Sequence, residues 1–98
     1  MAITVIIDFE LKPEFTKEII ESFKTTLKET RAYDGCLGLS VLQDSENPNH
    51  IIFYEQWKTK EHQLRYIQWR VESGMMDKMG AVLASLPVTK YFESVQTY

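Results

Sequence analysis

The chain has 98 residues, of which 44% are hydrophobic and 26% are charged, and its net charge at pH 7 is −3. This length fits one domain with one hydrophobic core, so residues 1–98 are expected to form a single domain. The acidic balance disfavours nucleic acid as a partner, because a phosphate backbone favours basic surfaces. A single cysteine cannot form an intrachain disulfide, and the sequence shows neither a membrane span nor a signal peptide. We therefore expect a soluble cytoplasmic protein.

The first part of the chain predicts a strand followed by a long helix. Ala2–Leu11 is short and rich in β-branched residues, which favours a strand. Pro13 stands where the first helical turn begins, a position that loses nothing by lacking an N–H. Asp34-Gly35 ends the helix with turn chemistry. Between them, apolar residues recur at helical spacing: Phe15, Ile19, Ile20, Phe23 and Leu27.

The middle of the chain predicts a hairpin of two strands and a second helix. Apolar residues alternate over 37–41 in the second strand, and the polar loop Asp44–Asn49 leads to a third strand, His50–Trp57. Thr59 is placed to cap a helix from Lys60 to about Ser73.

The last part predicts one more helix and one more strand. Gly74 separates the second helix from a third, which we expect to reach Pro87, a residue that cannot continue a helix. Apolar residues mark its buried face: Met75, Met79, Val82, Leu83 and Leu86. Val88–Val95 is the final strand. The resulting order predicts an α+β fold of ferredoxin-like (split βαβ) type, with an antiparallel sheet and helices on one face.

Both faces of this predicted sheet carry apolar residues. Ile6 and Ile52 lie on the face opposite Val5 and Phe53, because side chains alternate along a strand. An uncovered face of this kind forms a large exposed apolar patch. The sequence therefore predicts a homodimer that buries the open face, the alternative being a monomer in which both sets are half-exposed.

The segment Phe53–Arg70 combines large aromatic residues with charges at positions that otherwise predict burial. Arg70 falls within the apolar arc of the second helix, and Glu55 shares a strand face with Trp57. A buried guanidinium needs a partner, so we expect Glu55 and Arg70 to meet beside Trp57 and Tyr66. Periodicity alone does not distinguish a small-molecule pocket of this composition from a filled aromatic core with a snorkelling arginine.

Other chemistries find little support in the sequence. His50 and His62 stand on different elements without ligand spacing, so no metal site is expected. Cys36, next to a turn, is interpreted as a small core residue rather than a nucleophile. The phosphate-binding and dinucleotide-binding motifs are absent from the sequence.

Three motifs together resemble the antibiotic biosynthesis monooxygenase family. They are DGCLGLSVLQD (Asp34–Asp44), FYEQW (Phe53–Trp57) and the Lys12-Pro13 that opens the first helix. The resemblance covers nearly the whole chain and implies a dimeric α+β barrel, in which two ferredoxin-like sheets face each other. It also implies a monooxygenase that oxidises a small phenolic or quinol-type aromatic with O2 and needs no cofactor.

The resemblance further implies roles for residues of the aromatic segment. The family's tryptophan maps onto Trp57 and its preceding glutamate onto Glu55, whereas Tyr66 stands where many members have a histidine. We expect Tyr66, Arg70 and Glu55 to be catalytic: Tyr66 bonds the substrate oxygen, Arg70 stabilises the phenolate and Glu55 holds Arg70. The expected substrate-binding residues are Trp57, Phe53, His62 and Trp69.

Alternative functions on the same fold stay open. A non-catalytic dimer that binds or senses a small ligand is the main alternative, and other relatives degrade haem or isomerise small molecules. The RNA-recognition fold shares this element order, but His50–Trp57 lacks the basic and glycine positions of its binding strand.

Overall fold

The computed structural model describes residues 2–98 and shows one antiparallel sheet with helices packed on one face. The strand order is β2-β3-β1-β4, which leaves β2 and β4 at the edges. The α+β, ferredoxin-like fold predicted from the sequence is confirmed. The elements are β1 (Ile3–Glu10), a 3-10 turn (Pro13–Phe15), α1 (Thr16–Ala32), β2 (Cys36–Gln43), β3 (His50–Trp57), α2 (Lys60–Glu72), α3 (Met75–Val82) and β4 (Val88–Glu93).

The turn between α1 and β2 depends on a glycine. Gly35 has a φ of +90°, a left-handed conformation that side-chain-bearing residues rarely adopt. Any Cβ here would also collide with the imidazole ring of His62 on α2. The predicted turn Asp34-Gly35 therefore joins α1 to β2 and also lets α2 approach closely.

The beginning of α2 follows the prediction. The Thr59 hydroxyl accepts a hydrogen bond from the backbone N–H of His62 at 3.2 Å, which caps the helix. At the other end, Gly74 separates α2 from α3 with a φ of +82°.

The third helix is shorter than predicted, because the chain leaves it to extend the sheet edge. α3 ends at Val82, and Leu83 forms an isolated bridge with Leu11. The next N–H, from Ala84, bonds the carbonyl of Glu10 at 2.8 Å. Leu86, assigned to the helix from its spacing, is 89% exposed. Tertiary pairing with the end of β1 thus replaces the last predicted helical turn.

The core lies between the helices and one face of the sheet. One cluster, at the Trp57 end, contains Val5, Cys36, Trp57 and Tyr66. The other contains Phe9, Leu11, Phe23 and Ile51. Cys36 is buried, as expected for a core residue.

In the part of the chain that the structure describes, no helix covers the opposite face of the sheet, and this face is rich in apolar residues, as predicted. Tyr54 is 40% exposed, Phe92 46% and Leu42 48%, and Ile6 and Ile52 lie half-buried among them. The register places Ile6 beside Tyr54 and Asp8 beside Ile52, so these side chains form one continuous surface. We call this surface, made of Ile6, Leu42, Ile52, Tyr54 and Phe92, the open face. Within residues 2–98, no helix has the length and apolar character needed to cross a membrane.

Candidate functional site

A buried carboxylate lies in the middle of the helix-covered face. Glu55 is 2% exposed, and its Oε1 accepts a hydrogen bond of 2.9 Å from the indole Nε1 of Trp57. Trp57 itself is 0% exposed, so it fixes Glu55 from within the core and presents no ring face at the surface. Burial disfavours the charged form and raises the pKa of Glu55, while the bond from Trp57 acts in the opposite direction. A carboxylate with a raised pKa is a stronger base than an ordinary one, which suits it to accepting a proton.

Two polar residues, Gln63 and Tyr91, pair with each other on the same side of the sheet as Glu55. Gln63 of α2 is 1% exposed, and its Oε1 accepts a hydrogen bond of 2.8 Å from the hydroxyl of Tyr91. Burial raises the pKa of Tyr91, and the nearby charge of Glu55 adds to the effect. The ammonium of Lys60 stands 4.4 Å above the Tyr91 ring, a cation–π contact at the start of α2.

The helix layer stops short of the edge strand that carries Tyr91. Within β4, Tyr91 is half-buried and the other five residues, from Val88 to Glu93, are exposed. Tyr91 is therefore the one residue of β4 whose side chain is partly covered, and its hydroxyl reaches the buried Gln63.

The predicted contact between Glu55 and Arg70 is wrong. The guanidinium of Arg70, which is 3% exposed, points toward α1 and pairs with Glu29 at 3.1 Å. It also donates to the carbonyl of Thr26 at 2.8 Å and to the hydroxyl of Thr30 at 3.2 Å. The burial of Arg70 was predicted correctly, but its partners lie on the neighbouring helix, because Arg70 leaves α2 on the side that faces α1.

Tyr66 belongs to the same network. Its hydroxyl accepts a hydrogen bond of 2.8 Å from Nε of Arg70 and shares another with the hydroxyl of Thr30. Its ring packs 5.3 Å from that of Trp57. Glu55, Trp57, Tyr66 and Arg70 are thus linked in that order by successive contacts, although the two charges at the ends do not meet. Their contacts give Tyr66 and Arg70 a role in joining α1 to α2; their catalytic roles stay predictions.

The other three expected substrate-binding residues lie in three different places in the fold. Phe53 lies in the second core cluster, with its ring 5.0 Å from Phe9. His62 bonds the Thr59 hydroxyl at 2.7 Å through Nδ1. Trp69 stacks on Tyr33 at 5.3 Å and is partly exposed, with the Arg70 guanidinium 4.5 Å from its ring centre. These residues do not converge on one cavity with Trp57.

Two concavities stand out on the surface, and neither contains Glu55 or Trp57. One, of about 430 Å³, lies between α1 and β2 and is lined by Phe23, Leu27 and Val41 among others. The second, of about 400 Å³, lies beside Pro13 and Thr16. Within residues 2–98, no cluster of three or more acidic, histidine or cysteine side chains is arranged to hold a metal ion.

Sequence reasoning missed Gln63 and Tyr91. Gln63 occupies a helical position next to the apolar arc, and a glutamine there predicts a solvent-facing side chain. Tyr91 falls within the predicted final strand, and strand alternation alone gives it no role. The register provides the missing information, since Val5 pairs with both Glu55 and Tyr91 and places all three in one row.

Solved structures share this fold at low sequence identity. A conserved protein of Methanosarcina mazei Go1 matches with a TM-score of 0.83 and 24% identity, over 94% of this chain and 91% of that one. A structure described as antibiotic biosynthesis monooxygenase matches with a TM-score of 0.85 and 18% identity, over 96% and 99%. Rv0793 of Mycobacterium tuberculosis matches with a TM-score of 0.76 and 14% identity, over 99% and 98%. A search of curated proteins found no match.

The family assignment comes from the sequence match. The family model described as antibiotic biosynthesis monooxygenase matches residues 2–70, which extend from β1 into α2 and include the whole Phe53–Arg70 segment. This match agrees with the fold and supports a general monooxygenase-like or small-ligand-binding role. The chain belongs to the antibiotic biosynthesis monooxygenase family.

Proposed function

We propose that this protein is a cofactor-independent monooxygenase that oxidises a small phenolic or quinol-type aromatic with O2. The observation that carries the proposal is the buried Glu55, whose pKa is raised by burial and whose hydrogen-bond partner is the neutral indole of Trp57. Family membership supports the reaction class. A carboxylate with a raised pKa in a dry site is suited to general base catalysis.

In this proposal Glu55 takes the proton itself rather than holding Arg70. The expected ion pair would have kept Glu55 ionised and weakly basic, but the guanidinium is engaged with α1 instead. Glu55 removes the hydroxyl proton of the substrate, and the resulting electron-rich phenolate supplies the electrons for O2. For a naphthol, one oxygen atom becomes the new ring carbonyl of a naphthoquinone and the other leaves as water together with the two hydrogens lost by the substrate. The protein contributes orientation, the base and exclusion of bulk water.

We include the predicted homodimer in this proposal, as the form in which the enzyme is active. The open face is apolar and uncovered in one chain, and a second copy placed on it would bury Tyr54, Phe92 and Leu42. The soluble, cytoplasmic setting expected from the sequence is kept as part of the same proposal.

A small-ligand binding dimer is the second candidate, and one observation favours it. Trp57 is completely buried and its neighbourhood is filled by Tyr66 and Tyr33, so turnover requires side chains to move aside. A binding protein that opens only for its ligand has the same packing. The two candidates differ in whether oxygen is consumed.

The test is oxygen uptake by metal-free protein with a panel of naphthol-like and anthrol-like phenols. We expect at least one compound to be consumed by the wild type, and Glu55→Gln to slow turnover by about 10²–10⁴-fold, the range for loss of a general base. Glu18→Gln, an exposed carboxylate in the first turn of α1, is the matched control and should be unaffected. If no phenol is consumed but one raises the melting temperature, the binding-protein candidate replaces the enzyme.

A further inference from the structure

We infer that Gln63 is the group that holds the substrate oxygen beside Glu55, and that Tyr91 is the residue that positions Gln63. This inference rests on the proposed function for its reaction, but the binding geometry it predicts is testable without turnover. It assigns a ligand of one chemical class, a flat aromatic ring carrying a hydroxyl group, to the space between α2 and the β1–β4 pair.

The sheet register places Glu55 and Tyr91 on either side of Val5. Val5 of β1 pairs with Glu55 of β3 on one side and with Tyr91 of β4 on the other. Because neighbouring strands lie about 4.8 Å apart, Glu55 and Tyr91 are separated by about two strand spacings on the same face. Gln63 comes down from α2 and meets the Tyr91 hydroxyl at 2.8 Å. The row formed by Glu55, Val5 and Tyr91 therefore has the Gln63 amide on the side that faces α2.

The hydrogen bonds of Glu55 and Gln63 leave one polar atom of each without a partner. Oε1 of Glu55 bonds Trp57 and Oε1 of Gln63 bonds Tyr91, whereas within residues 2–98 neither Oε2 of Glu55 nor Nε2 of Gln63 makes a hydrogen bond. Both side chains are at least 98% buried, Glu55 being 2% and Gln63 1% exposed. Among the described residues, no fully buried side-chain nitrogen or oxygen lacks a hydrogen-bond partner, so these two unbonded atoms are the parts of Glu55 and Gln63 that still reach solvent. They are therefore open to the polar atoms of a ligand.

This pair of unused atoms matches the chemistry of a phenolic hydroxyl. The substrate O–H donates to Oε2 of Glu55, and the same oxygen accepts from Nε2–H of Gln63. After the proton has moved to Glu55, the Gln63 amide still donates to the phenolate, so it stabilises the charge that develops in the reaction. No redox step is involved in this contact; one proton passes from the substrate oxygen to the carboxylate. Because Arg70 is committed to Glu29 and Thr30, a neutral donor takes the place of the expected guanidinium.

Tyr91 explains why the amide has one orientation. By donating to Oε1 of Gln63, its hydroxyl leaves the NH2 group as the free end. Tyr91 also lies on the edge strand that the helices leave uncovered, under the ammonium of Lys60. Entry of a ligand along this edge requires Tyr91 to turn aside, so the residue that orients Gln63 also closes the opening.

The test uses the whole protein labelled with 15N and a naphthol as probe. The two amide protons of Gln63 are assigned by their loss in Gln63→Leu, and naphthol is titrated into the wild type. We expect the Gln63 amide signals to shift on saturation. Gln63→Leu should bind at least tenfold more weakly and reduce turnover about 10²–10³-fold, the effect of losing one donor to a developing oxyanion. Gln68→Leu, on the exposed side of α2, is the matched control and should bind normally.

Tyr91→Phe tests the positioning role separately. This variant keeps Gln63 and Glu55, so it should retain the pH midpoint of turnover while binding roughly tenfold more weakly, as expected for the loss of one net hydrogen bond that orients the donor. Its Gln63 amide signals should move even without naphthol. Tyr98→Phe, at a fully exposed tyrosine, is its control.

The possible outcomes separate this inference from the proposed function. A shift of the Gln63 amide signals without oxygen consumption supports the binding geometry and contradicts the monooxygenase. Oxygen consumption that is unchanged in Gln63→Leu overturns the inference and leaves the monooxygenase standing. Absence of any amide shift at saturating naphthol also overturns it, and so does a Tyr91→Phe protein that binds like wild type.

Discussion

Trp57 and Glu55, two residues apart on β3, are joined by a hydrogen bond of 2.9 Å from the indole nitrogen to the carboxylate. Side chains two residues apart share one face of a strand, so the bond forms within the buried layer under α2. The carboxylate therefore pairs with the neutral indole N–H of Trp57, and not with the Arg70 guanidinium expected from the sequence. Burial therefore dominates the electrostatics of Glu55 and raises its pKa from the ordinary value of 4.5.

The first prediction is that Glu55→Gln makes the protein more stable at high pH. Below pH 4.5 the carboxyl is protonated in both folded and unfolded chains, so the wild type and the variant should differ little. As the pH rises through the raised pKa, the unfolded chain ionises more readily than the folded one, and the wild type loses stability that the neutral glutamine keeps. Urea unfolding at several pH values measures the difference, and Oε1 of the glutamine can still accept from Trp57.

The same variant should lose activity while gaining stability, a combination typical of functional residues in destabilised sites. Glu18→Gln should show neither effect, since that carboxylate is exposed. A Glu55→Gln protein that is less stable than wild type at high pH would show that the ionised carboxylate is stabilised by its surroundings and would contradict this account.

The second prediction concerns which residues couple to Arg70. In double-mutant cycles, Arg70→Met and Tyr66→Phe should show an interaction of about 0.5–3 kcal/mol, because Nε of Arg70 donates to the Tyr66 hydroxyl at 2.8 Å. Arg70→Met and Glu55→Gln should be additive within about 0.5 kcal/mol, since they share no bond. Urea unfolding of the four proteins in each cycle gives these energies. Strong coupling between Arg70 and Glu55 would restore the contact first expected from the sequence.

The partners of Arg70 show what periodicity can and cannot predict. Helical spacing was enough to predict that Arg70 is buried, because burial depends on which arc of α2 faces the protein. The spacing contains no information on which neighbouring element the side chain meets. That choice depends on the packing of α1 against α2, and α1 supplies Glu29, Thr26 and Thr30 from more than thirty positions earlier in the chain.

Strand patterns were more informative than helix patterns for this chain. Alternation predicted β3 with its observed ends and separated the two faces of the sheet, because a strand side chain has only two directions available. The role of Gln63 could not be predicted in the same way, since it depends on a hydrogen bond to Tyr91 across the fold. The end of α3 was missed because pairing of Leu83 with Leu11 overrode a local helical pattern.

The third prediction is a pH-dependent contribution of His50 to stability. Its ring nitrogens bond Asp44 at 3.0 Å and Asp8 at 2.8 Å, and these two carboxylates, Asp44 first, raise the pKa of His50. The contribution should be complete below pH 6.5, the ordinary histidine value, and should be lost as the pH rises through the higher folded pKa. The pKa of Asp44 is lowered, mainly by its bond to His50, so the pair also weakens as the pH falls below 3.8.

An NMR titration of the imidazole measures this directly. Asp44→Asn should move the His50 midpoint toward the ordinary value, and His50→Gln should remove the stability change around neutral pH. A midpoint that is already at 6.5 in the wild type would contradict the carboxylate contacts.

The last prediction is that the open face forms the contact of a two-fold dimer. Sedimentation at micromolar concentration should give twice the 11.5 kDa mass of one chain. Ile52→Asp places a charge among Ile6, Tyr54 and Leu42, where a second copy would remove it from water, so the dimer should weaken by at least roughly a hundredfold or the protein should unfold. Circular dichroism separates the two outcomes. Leu64→Asp is the control, because Leu64 is an apolar side chain, 47% exposed, on α2 and therefore away from the open face. A wild-type protein that sediments as a monomer would overturn the prediction, and an Ile52→Asp protein that remains folded and dimeric would place the contact on another surface.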